Sequence, residues 1–179
     1  NSDNLEDYWD SLTNNEMMTI DQRISRLHSV IDSAKLEEDD SWLSPEIDGT
    51  FNFDSPTEIM QALENSGSPW AMETLEVLQK RSPLMLHVSL RQIRLGRHMS
   101  LADELRLERT LVQHCFYTHH LKRTGAQTET VEGIRALVID KDHNPAWNPT
   151  RIQDVTSEMV DPFFVSPWAE MDHPLADLN

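Results

Sequence analysis

The sequence is poor in cysteine, glycine and basic residues, and each shortage excludes something. Cys115 is the single cysteine among 179 residues, so no internal disulfide forms and a reducing compartment fits best. The five glycines nowhere cluster as GxGxxG or as a GxxxxGK loop, so no nucleotide-cradling turn is written here. Lysine and arginine number 15 against 31 aspartates and glutamates, for a net charge of −16. That balance works against general affinity for nucleic-acid phosphates or an anionic membrane surface. No apolar run approaches the roughly 20 residues a bilayer crossing needs, and no signal peptide is legible. The chain begins at Asn1, which fits a processed product or the later part of a longer polypeptide.

What the sequence does hold is a series of helix starts. Ser44-Pro45, Ser55-Pro56, Ser68-Pro69 and Ser82-Pro83 each set a capping hydroxyl before a proline, whose missing N–H costs nothing in a first helical turn. Ser55 with Glu58 and Thr19 with Gln22 have capping-box spacing, and Ser100 with Asp103 has a weaker form of it. Apolar residues then recur at helical spacing: Ile20, Ile24, Leu27 and Ile31; Ile59, Met60 and Leu63; Ala71, Leu75 and Leu78; Leu86, Leu90 and Ile93; Leu101, Leu105, Val112 and Phe116. Alternating strand patterns are nearly absent. The reading is a mostly α chain of seven to nine helices, looser near Glu37 to Asn52, Gly125 to Thr128 and Asp142 to Thr150. These short helices each have one apolar side and need something to lie against. Trp9, Trp42, Trp70, Trp147 and Trp168 either staple the bundle together or dock on another domain or subunit.

Charge is uneven along the chain. Residues 1–66 carry 16 acidic and 3 basic side chains, 67–125 carry 5 and 9, and 126–179 carry 10 and 3. The basic middle, with Lys80, Arg81, Arg91, Arg94, Arg97, Arg106 and Arg109, reads first as a solvated helix face paired with nearby glutamates, and second as an anion-attracting patch. His114, His119 and His120 lie close together, but not at the i, i+4 spacing of a zinc pair, so no metal site is expected. Cys115 sits between expected core positions Val112 and Phe116 and reads as an inert buried thiol. No nucleophile elbow and no tuned carboxylate pair is present, so no catalytic residue is assigned.

The most specific stretch is Val131 to Pro149, VEGIRALVIDKDHNPAWNP. It resembles the C-terminal signature of the crotonase (enoyl-CoA hydratase/isomerase) superfamily, and in particular that of the 3-hydroxyisobutyryl-CoA hydrolase family. Ser68 to Leu75, Lys80 to Pro83, Leu90-Arg91-Gln92 with Gly96, Val155 to Phe164 and the closing His173-Pro174-Leu175 are similar to further stretches of that family. Thr130 stands where the family usually has Phe, His87 where it commonly has Lys, and His114 to Glu129 is longer than usual.

The resemblance implies the C-terminal helical region of a crotonase-like fold, packing on a ββα-spiral core not contained in this chain. Residues 1–66 would be an acidic helical lead-in and 67–179 the helical region with the signature. The family's oxyanion hole and activating carboxylates lie in the missing half, so this chain alone is expected to hydrolyse nothing. Completed by that N-terminal core, it would cleave a hydroxyacyl-CoA thioester of valine degradation in the mitochondrial matrix. Coenzyme A would enter as part of the substrate, with no cofactor held by this chain. Lys141 resembles a basic position placed near coenzyme A phosphates, set against a surface ion pair with Asp140 or Asp142. Gly133 reads as a close approach of two helices, Glu132 with Arg135 as an ion pair or inter-subunit contact, and Pro145 and Trp147 as a rigid turn with an aromatic anchor. A homo-oligomer is a further expected partner, and no membrane is. The alternative is a non-catalytic relative docked among small-subunit proteins of the mitochondrial ribosome.

Overall fold

A computed structural model of the chain describes residues 19–33 and 45–178. Trp9, Trp42, the cap Ser44, the acidic run Glu37 to Asp40 and the side chains of Leu27 and Ile31 lie outside the described residues. The chain divides between Ser44 and Pro45. In the first part, α1 (Ile20–Ser33) starts on a complete capping box: the Thr19 N–H donates to Gln22 Oε1 at 2.9 Å, and the Gln22 N–H donates to Thr19 Oγ1 at 3.3 Å.

The second part contains α2 (Pro45–Phe51), α3 (Pro56–Ser66), α4 (Pro69–Gln79), α5 (Pro83–Gly96), α6 (Leu101–Phe116), α7 (Glu129–Ile134) and α8 (Ser157–Val160). No strand occurs among the described residues. The serine caps form as their spacing predicts. Oγ of Ser55, Ser68, Ser82 and Ser100 accepts from the N–H of Glu58, Ala71, Met85 and Asp103 at 3.0 to 3.2 Å. Helix α3 ends on Gly67 in the left-handed region, φ 63°, with its N–H on Leu63 O.

Two apolar clusters hold these helices. Ile59, Leu63, Ala71 and Leu75 lock α3 to α4, with Phe51 and Trp70 edge to face at 6.3 Å. Leu84, Val88, Leu111, Val160 and Phe163 join α5 and α6 to the C-terminal turns, and Leu90 on α5 packs against the first cluster. Each fully buried leucine contributes about 1.5–3 kcal/mol.

Two expectations are corrected. Part of the stretch read as loose, Glu37 to Asn52, is helix α2. Its Glu46 carboxylate accepts from the hydroxyls of Ser66 and Ser68, Ser68 first in effect, and is held below the usual carboxylate range. That contact fixes the helix from some 20 residues away. The apolar stripe of α6 also points the other way. Leu101, Leu105, Val112 and Phe116 are 72%, 36%, 52% and 42% exposed, while Leu107, Thr110 and Leu111 on the far side face the core. Val112 and Phe116 are therefore not core positions, and Ile93 on α5 is likewise exposed.

Candidate functional site

The signature stretch folds as a helix, a wider turn and a braced loop. Thr128 caps α7, its Oγ1 accepting from the Val131 N–H at 3.2 Å. At Arg135 the helix loosens into a π-turn, Arg135–Ile139, a local widening common at functional positions. The chain then reverses through Lys141 and His143, both in the left-handed region at φ 54° and 53°. The His143 N–H returns to Ala136 O at 3.1 Å. The Asn148–Pro149 peptide is cis.

Arg135 is the hub of this loop. Nη2 and Nε meet the two carboxylate oxygens of Glu132 at 2.8 and 2.9 Å, Nη1 reaches Asp140 at 2.6 Å and Asp142 at 2.7 Å, and Nη2 also donates to Asn144 O. The guanidinium is held charged by Glu132 first, then Asp142 and Asp140. Glu132 and Asp142 are both drawn below their usual range by Arg135, with help from the Ala146 and Asn144 N–H groups respectively. So Glu132 and Arg135 do form a bidentate pair within the chain. Asp140 and Asp142 turn to Arg135, and among the described residues Lys141 makes no ion pair with either.

Gly133 faces the Trp147 indole, not a second helix: a Cβ there would meet Cη2 at 3.4 Å. Trp147 Nε1 donates to Lys80 O at 3.0 Å, so the aromatic anchor ties the loop to the end of α4. Pro145 lies half-buried between the hub and this anchor.

Beneath the loop is a brace that no motif announced. Glu129 is buried, with one oxygen taking Arg123 Nη1 and the Asn148 N–H, both at 3.1 Å, and the other taking the Ser82 hydroxyl. Arg123 Nη2 donates to Asn148 O at 2.5 Å. Ser82 and Glu129 are 47 residues apart, and no local spacing rule pairs them. A polar cavity of about 560 Å3 borders Glu129, Glu132, Arg123 and Lys122. Both carboxylates are already spent on cations, N–H groups and a hydroxyl, which suits a structural brace better than proton transfer.

Most of the arginines of the basic middle are also spent. Arg91 pairs with Asp161 at 2.5 Å and lies over the Phe164 ring. Arg94 donates to the Phe51 and Phe53 carbonyls. Arg106 holds the tail carbonyls of Leu175, Ala176 and Leu178, and Arg109 lies over Trp168. Lys80 pairs with Glu76.

His114 and His120 flank Phe163, with Nε2 on Val165 O at 2.8 Å and on Met159 O at 3.2 Å, while His119 stacks on Tyr117. No group of three metal-ligating side chains occurs among the described residues. The Cys115 thiol is pushed up by burial, opposed by a bond to the Thr130 side chain. The residue standing in for the family's Phe thus finds a polar partner.

Known proteins resemble this chain in sequence and in fold. The family model for enoyl-CoA hydratase/isomerase matches residues 1–164. The chain is 40% identical over 118 residues to the mitochondrial 3-hydroxyisobutyryl-CoA hydrolase of Gallus gallus, covering 66% of this chain and 28% of that protein. It is 34% identical over 137 residues to the Homo sapiens protein of the same name, covering 74% and 33%. A crystal structure of a carnitinyl-CoA dehydratase from Mycobacterium thermoresistibile matches with a TM-score of 0.57 at 28% identity, over 70% of this chain and 33% of that one. The chain thus spans about a third of the length of the proteins it resembles.

Proposed function

The chain belongs to the enoyl-CoA hydratase/isomerase family, and from that premise we propose that it is the C-terminal helical part of a 3-hydroxyisobutyryl-CoA hydrolase. Completed by an N-terminal ββα core, it serves hydrolysis of a hydroxyacyl-CoA thioester, a step of valine degradation in the mitochondrial matrix. The word mitochondrial in the relatives' names supports a mitochondrial location.

The observation that carries this reading is the outward stripe of α6. At about 100° per residue, Leu101, Leu105, Val112 and Phe116 stand within about 60° of arc, and all four are exposed. A helix whose far side already fills a core has no use for a second apolar face in water, so this face is the seat of the missing part. Lys141 is the residue of this chain that supports coenzyme A binding. The acids that would quench it are held by Arg135, and its left-handed backbone marks a position fixed by its surroundings. The thioester chemistry itself belongs to groups outside this chain.

The test is reconstitution. Co-expression with an N-terminal crotonase core should give a complex that hydrolyses 3-hydroxyisobutyryl-CoA, and the chain alone should give none. Val112→Asp with Phe116→Ser should leave the helical content of the chain intact and abolish assembly, and Lys141→Met should raise KM severalfold with kcat little changed. Turnover by the isolated chain would refute the division of labour. Co-sedimentation with ribosomal particles and no turnover in any assembly would replace the hydrolase by the scaffold reading.

A further inference from the structure

The π-turn after α7 carries an apolar surface that the fold itself does not use. Its widened ring is closed by the Asp140 N–H, which reaches back five residues to Arg135 O at 2.8 Å. Three consecutive residues of a regular helix sweep about 200° of arc, so a helix resting on a core covers part of any such run. Here Ala136 is the buried residue, at 0% exposure, and the next three, Leu137, Val138 and Ile139, are 56%, 60% and 68% exposed. Ile134, before the turn, is 44% exposed. The turn therefore projects as an aliphatic knob.

Its charge sets it apart as much as its exposure. The chain has a net charge of −16, yet from Gly133 to Ile139 the single charged residue is Arg135. That guanidinium is committed to Glu132, Asp140 and Asp142. Scattered exposed aliphatics are ordinary, but four among the six residues from Ile134 to Ile139 make a contiguous patch. Depletion of charge around large apolar side chains is the composition of an interface centre.

Size and charge decide what covers it. Helices α6 and α7 are in contact, so the knob and the outward stripe of α6 lie on neighbouring elements. A stable interface takes about 20–30 residues a side, more than one face of a 16-residue helix supplies. The knob doubles the number of apolar anchors. A second copy of the chain would bring another −16 against the first. The chain spans about a third of the length of the proteins it resembles, and the remainder is a body large enough to reach both elements.

We propose that the knob of Ile134, Leu137, Val138 and Ile139 seats in an apolar socket of the missing N-terminal part, as a second anchor beside the α6 stripe. This rests on the division of the molecule proposed above, and it adds that assembly closes over the signature turn.

The test co-expresses the chain with the N-terminal core of the Gallus gallus hydrolase and measures affinity by calorimetry. Leu137→Ser with Val138→Ser should leave the urea midpoint of the chain unchanged and weaken assembly about twentyfold or more, the loss of two side chains whose exposed surface is buried on docking. Hydroxyl-radical footprinting of the unaltered chain gives a reading independent of any variant. Leu137, Val138 and Ile139 should be oxidised freely in the chain alone and severalfold less in the complex. Undiminished affinity of the double variant, or undiminished oxidation on assembly, would overturn the knob and leave the α6 seat standing. Failure of the unaltered chain to assemble would overturn both. A chain that dimerises alone and is made monomeric by the double variant would assign the knob to a second copy, and so also overturn the proposal.

Discussion

Replacing Arg123 by Met removes the cation from the brace under the signature loop and keeps most of its aliphatic stem. The side chains of Arg123 and Glu129 are only 10% and 6% exposed, so the pair belongs to the buried kind. Without the guanidinium, Glu129 keeps the Ser82 hydroxyl and the Asn148 N–H but carries an uncompensated charge. Asn148 O also loses its donor. Breaking a buried pair from one side costs about 3–5 kcal/mol, against about 0–1 kcal/mol for an exposed one. With a urea m-value of about 2 kcal/mol/M, the midpoint should fall by about 1.5–2.5 M. Tryptophan fluorescence is the natural readout, since Trp147 anchors the same loop. Adding Glu129→Gln to Arg123→Met removes the stranded charge while the amide still accepts from the Asn148 N–H. The double variant should therefore be more stable than Arg123→Met alone, by about 1–2 kcal/mol. A cost below about 1 kcal/mol for Arg123→Met, or a double variant as unstable as the sum of the two singles, would refute the buried-brace reasoning.

Three other outcomes follow from the same structure. Leu63→Ala, at a fully buried position, should cost about 2–5 kcal/mol in urea unfolding, whereas Val112→Ala on the outer stripe should change stability by less than about 0.5 kcal/mol. Gly67→Ala forces a Cβ into φ 63° and should cost about 1–2 kcal/mol, seen as a lower thermal midpoint by circular dichroism. Burial pushes both His87 and His120 below the ordinary histidine value. As pH falls below about 6.5 the unfolded chain takes up protons first. Stability present above that pH is then lost on descent through the folded values, so the urea midpoint should drop between pH 7.5 and pH 5. In a His87→Gln, His120→Gln variant that slope should flatten.

What the sequence could reveal depended on how local the cause was. A serine and the N–H three residues on are neighbours in any helix start, so the caps at Ser55, Ser68, Ser82 and Ser100 were legible from spacing alone. The same holds for Glu132 with Arg135. Helix α2 was not legible, because Asp48 and Gly49 are poor helix formers and its anchor, Glu46, finds its partners on Ser66 and Ser68. On α6 the periodicity is legible in the sequence but its direction is not. Spacing shows that Leu101, Leu105, Val112 and Phe116 share a face, and is silent on which way the face looks when Leu107 and Leu111 offer a rival one. The Glu129 brace is not legible in the sequence because its partners Ser82, Arg123 and Asn148 meet only in space. Nor is the competition for Asp140 and Asp142: sequence proximity suggests Lys141, but the reversal of the loop at Lys141 and His143 delivers both acids to Arg135.

The way the arginines are used has a consequence for how copies of the molecule meet. Arg94, Arg106 and Arg123 point their guanidiniums at main-chain oxygens, so part of an already small positive charge works as internal stitching. The exterior is left largely to carboxylates, and two such surfaces repel until ions intervene, over a distance of about 8 Å in physiological salt. Concentrated solutions of this chain should accordingly stay dispersed in dilute buffer, and the bare leucine, valine and phenylalanine side chains of α6 should begin to find one another only as added electrolyte mutes that repulsion.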